Sequence, residues 1–392
     1  MKCIALLLLI TVYCKNTFAQ LDSSEQKLAI FLPISLNNYF DKNNKALGDI
    51  TKDAKNIVDY YTGAKLALKK LGTDGKKLAV NIYEINKTTN LDSLWNTANF
   101  KNTNLILAPV KDDIKLLAQF AAAHQITFIS TLSPLDGGVT NNNQFYMCNP
   151  TIRVHIEEMY NYIKNKITTN KWTDPNILLV KTNSNKDLAL YTHFINMEKK
   201  QLDKNFKTTT LNFNSSALPP AFFTALDSTK KNVVYSFSLN DTLNEALLKA
   251  TSKLKNYNIL VLGLPYWENF TFLKTDALKD ARFVYSTAYH KFELDSAINK
   301  PILNAYKKKH IGFQPNYSFY KGYIYTYKYA NLLATYGPNF IAHINDTNLL
   351  ENNKLIFAPY LINNTNLNLN YFENRKLYFI TQKGNNFLSI DN

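Results

Sequence analysis

From Lys27 onward the chain repeats one theme: a short apolar run, then a stretch whose apolar residues recur at helical spacing. The runs Leu28 to Leu32, Leu78 to Ile85, Asn104 to Ala108, Ile126 to Ser130 and Gln144 to Cys148 are rich in Val, Ile, Leu, Phe or Tyr and read as strands. Between the first two, Ile57, Tyr61, Ala64, Leu68 and Leu71 fall at alternating intervals of four and three, with Lys55, Asp59, Lys69 and Lys70 elsewhere, so one helix face is apolar. Asp112-Asp113 suit the positive end of the next helix dipole, ahead of Ile114, Leu117 and Phe120 or Ala121. A second series follows, with strands at Ile177 to Lys181, Thr208 to Phe213, Val233 to Phe237, Ile259 to Leu262 and Phe283 to Thr287, and helices near 154–167, 186–203, 218–227 and 241–255. Alternation of strand and helix predicts parallel sheets covered by helices on both faces and connected right-handedly. Two series predict two α/β lobes, and the brief spacer Thr168 to Pro175 predicts an intimate pair, not a flexible tether. The tail departs from this rhythm, with helices at 301–309 and 317–336 and strand-like runs at Leu355 to Pro359, Lys376 to Thr381 and Asn386 to Ile390.

The segment ahead of Lys27 reads differently. Met1 and Lys2 precede the apolar run Ile4 to Val12, and Thr17-Phe18-Ala19 offers small residues where a signal peptidase needs them, so residues 1–19 are expected to be a cleaved signal peptide. Lipoprotein anchoring through Cys14 is the weaker alternative, because bulky Tyr13 precedes it. No later stretch has the ~18 apolar residues that span a bilayer, so a periplasmic protein is expected. Lys2 and Lys15 leave with the signal and no acid does, which takes the net charge from +15 to +13; Cys3 and Cys14 leave as well. The remaining Cys148 cannot form an internal disulfide, and its Phe145-Tyr146-Met147 context suits a buried small hydrophobe better than a reactive thiol.

Signatures of catalysis are thin. The 11 glycines include Gly137-Gly138 but form neither G-x-G-x-x-G nor G-x-x-x-x-G-K-[ST], and there is no G-x-S-x-G elbow. The six histidines are scattered, and His155-Ile156-Glu157-Glu158-Met159 lacks the second His of a zinc helix, so neither metal nor cofactor is expected and the chain reads as a non-enzyme. The basic excess forms no footprint. Its densest run, Lys307-Lys308-Lys309, belongs on the solvated side of a helix that turns Ile302 and Ala305 or Tyr306 inward, and no nucleic-acid partner is expected.

Polar residues at strand ends carry more information, because ligands of open α/β sheets bind beyond the carboxyl ends of the strands. In the first lobe these are Ser35, Asn37, Asn38 and Tyr39, then Val110 and Lys111, then Ser130, Thr131 and Ser133; in the second, Thr182, Asn183 and Ser184, then Ser236 and Ser238, then Tyr266, Trp267 and Glu268. The competing reading is structural, since Ser, Thr and Asn at such places also cap helices and form turns, and Trp267 after Gly263-Leu264-Pro265 suits interlobe packing equally well.

Several segments, in this order and spacing, resemble the type I periplasmic binding proteins, specifically the branched-chain amino-acid receptor group and related exported proteins of Bacteroidetes. They are Leu28 to Pro33, Tyr60-Tyr61-Thr62-Gly63-Ala64-Lys65-Leu66-Ala67, Leu105-Ile106-Leu107-Ala108-Pro109, Ile126 to Pro134, Phe145 to Pro150, Gly263-Leu264-Pro265-Tyr266-Trp267, and Tyr306 through Gly322-Tyr323. The resemblance implies two Rossmann-like lobes with parallel sheets joined by three crossovers: lobe 1 from 27–150 and 288–354, lobe 2 from 151–287 and 355–392. It also implies a hinged cleft that closes on a ligand without chemistry. Departures limit what transfers. Where the receptors have Gly-Pro and then hydroxyl residues for a ligand carboxylate, this chain has Ala108-Pro109-Val110-Lys111, and the family's Gly-Tyr-Asp is Gly322-Tyr323-Ile324.

The expected site is therefore Ser130, Thr131 and Lys111 for an anionic group, Ser35 and Asn183 for neutral polar groups, Trp267 and Tyr289 as aromatic walls, and Glu268 as the carboxylate that a ligand ammonium would need. The expected function is recognition of a small polar ligand, amino acid- or peptide-like, with a membrane transporter or envelope protein as a candidate partner and a monomer or weak dimer as the working state. The alternative is an envelope interaction or regulatory module serving cell-wall or outer-membrane machinery through a degenerate cleft.

Overall fold

A computed structural model describes residues 25–390 apart from 44, 170, 201–206, 214–216, 290–298, 310–313, 347–354, 362–367 and 385. The expected signal peptide and Cys14 lie outside the described residues. In chain order the elements are β1 (Lys27–Leu32), α1 (Lys52–Thr73), β2 (Ala79–Glu84), α2 (Leu91–Trp95), β3 (Leu105–Ala108), α3 (Ile114–Ala123), β4 (Thr127–Ser130) and β5 (Phe145–Met147). Then come α4 (Ile152–Thr168), β6 (Asn176–Thr182), α5 (Asn185–Lys200), β7 (Thr208–Phe213), α6 (Pro220–Thr224), β8 (Lys231–Ser236), α7 (Asp241–Lys253), β9 (Asn258–Gly263) and β10 (Phe283–Thr287). The tail supplies α8 (Asn299–Lys309), α9 (Tyr317–Tyr336), β11 (Phe357–Leu361), β12 (Leu369–Asn374), β13 (Tyr378–Lys383) and β14 (Asn386–Ile390).

The strands form two seven-stranded sheets, ordered β11-β12-β5-β4-β3-β1-β2 and β14-β13-β10-β9-β8-β6-β7. Pairing is parallel except for β11 with β12 and for β13 with β10 and β14, which gives the two α/β lobes that the alternation predicts. Each core strand is apolar on both faces because both faces are covered. In β1, Leu28, Ile30 and Leu32 enter the core beneath α1 and α9, whereas Ala29 and Phe31 enter the opposite core beneath α3. The second sheet divides its strands likewise: Leu178 and Val180 of β6 face one core, Ile177 and Leu179 the other. Ile302 and Tyr306 of α8 are buried, and Lys307 and Lys308 are exposed.

One expected boundary is corrected. The resemblance puts residues 355–392 together in lobe 2, but β11 and β12 complete the first sheet, with Phe372 of β12 in register with Tyr146 of β5. The physical reason is two-sided burial: Tyr371 enters the core beneath α3, and Phe372 stacks on Tyr146 at 4.7 Å on the other face. The third passage between sheets is therefore Arg375-Lys376-Leu377, between β12 and β13. It is fastened to the first passage, ahead of α4, by charge. Glu373 pairs with Arg153 and accepts from the Thr151 hydroxyl at 3.1 Å, and Arg375 pairs with Glu157 and Glu158. Glu373 is 2% exposed, so these donors take the place of the water its carboxylate has lost.

Helix α1 buries Ile57, Ala64 and Leu71 of the face that the spacing predicts, but that face is rotated toward its neighbour. Tyr60, Gly63 and Ala67 are buried, and Tyr61 and Leu68 are only half-buried. The cause is α9, which crosses α1 backbone to backbone. A Cβ on Gly63 would lie 2.0 Å from the Phe319 carbonyl oxygen, and one on Gly322 would lie 2.1 Å from that of Tyr60. Because the obstacles are backbone atoms, relief requires the helices to separate. Gly322→Ala is expected to cost about 3 kcal/mol or more, seen in urea titration as a lower midpoint with an unchanged slope; a shift within ~0.5 kcal/mol would show that the helices are not held this closely.

Candidate functional site

A cavity of about 810 Å³ opens beyond the carboxyl ends of β1, β2 and β3. Pro33 and Ser35 after β1, Ile85 to Thr89 after β2, and Pro109 to Lys111 after β3 form its rim. The first turns of α1 and α9 supply Asn56, Tyr317, Ser318 and Lys321, and Asn269 reaches it from the second lobe. These turns are fixed by caps. Thr51 Oγ1 accepts from Ala54 N at 3.3 Å, and Asn316 Oδ1 from Phe319 N at 3.2 Å, while Asn316 Nδ2 donates to Asn56 Oδ1 at 2.9 Å and so ties the two helix starts together. Asp113, the N-cap of α3, sits in left-handed backbone at φ 58° and turns the Asp112-Asp113 pair onto the rim.

The expected site residues separate into three groups. Ser35 and Lys111 line the cavity, but Lys111 Nζ already lies 2.6 Å from Asp53 Oδ1; with side chains 62% and 72% exposed, that pair contributes at most about 1 kcal/mol. Ser130 and Thr131 do not line it. Both are fully buried, with the Thr131 hydroxyl beside that of Tyr60, so neither side chain is placed on the cavity wall for the expected anion role. Trp267 is also corrected as an aromatic wall. Its indole is fully buried in the second lobe, where a Cβ on Gly263 would meet the ring at 2.2 Å, and it stacks on Phe270. Asn183 is exposed, accepts from Asn212 Nδ2 at 2.6 Å and does not line the cavity.

Glu268 and Tyr289 meet at the seam between lobes. Glu268, on the 3-10 turn Pro265–Asn269, accepts from Thr287 Oγ1 at 3.1 Å and from the Tyr317 hydroxyl, which comes from the other lobe. Tyr317 packs edge-on against Tyr289, with ring centroids 5.7 Å apart, and burial together with the Glu268 charge raises its pKa well above the usual phenol range. Tyr289 is 2% exposed and packs behind the cavity without forming its wall, a second correction to the expected aromatic walls. Lys321 faces both: its Nζ lies 5.7 Å from the centre of the Tyr289 ring, and burial lowers its pKa while Glu268 opposes that shift.

Sequence reasoning passed over Lys321, Tyr317 and Asn56. The aromatic-rich α9 was visible, but its register against α1 was needed to aim Lys321 at the cavity. Deeper in, His155 Nδ1 shares a hydrogen bond with Ser286 Oγ at 2.9 Å, and burial followed by the Lys321 charge lowers its pKa to about 3. Burial pushes the Cys148 thiol up to about 12, and its Sγ is 3.5 Å from the Tyr329 hydroxyl. Among the described residues no group of three or more His, Cys, Asp and Glu side chains could hold a metal, and no helix is long and apolar enough to cross a membrane.

Two measurements check this interior. Cys148 should resist a thiol reagent at pH 8 in the native protein and react at once in guanidinium; fast native reaction would contradict its burial. Because the His155 pKa is depressed by folding, its contribution is complete above about 6.5 and is lost as pH falls toward 3. His155→Gln should therefore flatten the fall of stability over that window, as read by urea titration at a series of pH values.

No family model matches the sequence, and no curated protein matches it significantly. Solved structures do match in fold. A provisionally assigned branched-chain amino acid ABC transporter protein of Rhodospirillum rubrum superposes with a TM-score of 0.64 at 11% identity, over 93% of this chain and 100% of that one. A branched chain amino acid ABC transporter periplasmic ligand-binding protein of Burkholderia xenovorans gives 0.57 at 9% identity, over 94% and 95%. An ABC transporter substrate-binding protein of Desulfitobacterium hafniense, in complex with Leu, gives 0.53 at 9% identity, over 93% and 100%. Two seven-stranded α/β lobes that superpose along almost their whole length on such proteins give this chain the type I periplasmic binding protein-like fold.

Proposed function

We propose that this chain is an exported solute-binding-type protein that holds a small polar ligand, of amino-acid or short-peptide size, between its lobes and performs no chemistry on it. The observation that carries this reading is the cavity itself. Its volume of about 810 Å³ falls in the range of small-molecule sites, and it lies beyond strand carboxyl ends with Asn269 of the second lobe on its wall. Its lining suits selective recognition: Ile57, Val110, Leu117 and Leu132 exclude water, and Asn56, Ser318 and Lys321 supply directional groups. A protein of this fold in complex with Leu supports a ligand of this size. In this reading the protein works in the periplasm, and a membrane transporter collects the ligand from it.

A second reading, an envelope interaction module with a degenerate cleft, is favoured by one observation: Ser130 and Thr131, the hydroxyls expected in the cleft, are sealed inside the first lobe. A thermal-shift screen of amino acids, short peptides and small organic acids separates the two. A true ligand at a hundred times its Kd stabilises by about 2.7 kcal/mol, and Ser35→Trp, which puts a bulky side chain on the cavity wall, should abolish the rise. If no compound raises the melting temperature, the interaction module is the better account.

A further inference from the structure

We propose that the cavity selects a small carboxylate with an apolar body and no ammonium group, with Lys321 as its countercharge. This deepens the solute-binding reading and rests on it. Lys321 is half-buried in the cavity wall and makes no hydrogen bond or ion pair within 4 Å among the described residues. Its near neighbour is the Tyr289 ring, 5.7 Å from Nζ, a long cation–π contact that replaces little of the lost hydration. An ammonium held in that position is costly unless an anion joins it, so the wall is prepared for a negative group. Ser318, one turn before Lys321 on α9, brings a hydroxyl donor to the same wall.

The remaining charges argue against a zwitterion. Glu268 is the carboxylate that a ligand ammonium would require, and it is already engaged by Thr287 and Tyr317 while facing Lys321. A second ammonium there would compete with Lys321 for one carboxylate. Asp53 is taken by Lys111, and Asp112 and Asp113 stand exposed on the rim, where water screens them. An ordinary α-amino acid would therefore leave its ammonium without a partner inside, whereas the same skeleton lacking that group would place its carboxylate on Lys321 and its body against Ile57, Leu117 and Leu132.

Calorimetric titration of the mature chain with matched pairs tests this: leucine against 4-methylpentanoate, and phenylalanine against 3-phenylpropanoate. The carboxylates lacking nitrogen should bind and the amino acids should not. Lys321→Gln should weaken binding by about tenfold or more, as expected for loss of a charge-assisted contact, and Lys321→Arg should restore most of it. The ligand-free Lys321→Gln protein should melt no lower than the parent, because an unpaired charge has been removed; Ser318→Ala, with a smaller loss of affinity, covers the case in which that variant folds poorly. Amino acids binding as tightly as their nitrogen-free partners, or Lys321→Gln within about twofold of the parent, would overturn the inference and leave the solute-binding reading standing. Binding by neither set, with no hit in the wider screen, would remove that reading and this inference together.

Discussion

The contact on which the rest of this molecule depends is the crossing of α1 and α9 at Gly63 and Gly322. Two helices approach this closely only when the side chains between them are reduced to hydrogen, and here each glycine faces a backbone carbonyl of the other helix. The contact joins residues far apart in sequence, so it seats the tail on the first lobe. It also sets the height of α9 against the sheet, which carries Tyr317, Ser318 and Lys321 to the cavity and leaves Tyr325 and Tyr329 in the core. Moving α9 by the thickness of one methyl group would displace each of these together.

A second constraint is electrostatic. Charges at the seam are handled in local sets: Arg153 with Glu373, Arg375 with Glu157 and Glu158, and Glu268 with the hydroxyls of Thr287 and Tyr317. The first two sets bind the first and third interlobe passages to each other, so a hinge motion there must carry both passages as one unit. The third set bridges the lobes near the cavity and is the contact that opening of the cleft would break. Against this background Lys321 stands out because its charge is set in the wall with no ion-pair partner among the described residues.

Much of this architecture was legible. Alternating apolar runs gave the parallel strands, since a strand buried on both faces must be apolar throughout, and the +4, +3 spacing located α1. Strand β12 was missed because Leu369–Asn374 follows an Asn-rich stretch and carries a glutamate; its fitness for the sheet depends on Arg153 arriving from another element. The site was less legible. Ser35 and Lys111 follow strands and do line the cavity, but a strand end fixes the position of a residue and leaves its direction open. Ser130 and Thr131 turn into the lobe, and Trp267 fills the space above Gly263.

What the sequence by itself determined, then, is the succession of strands and helices and the division into two α/β series, because apolar periodicity is a local property tied to burial. Which sheet receives the last strands, which hydroxyls are sealed, and which lysine faces the cavity were decided by tertiary structure alone. Those outcomes depend on helix register, paired charges and backbone approach between segments as much as 260 residues apart, as for Asn56 and Asn316, and no local pattern records them.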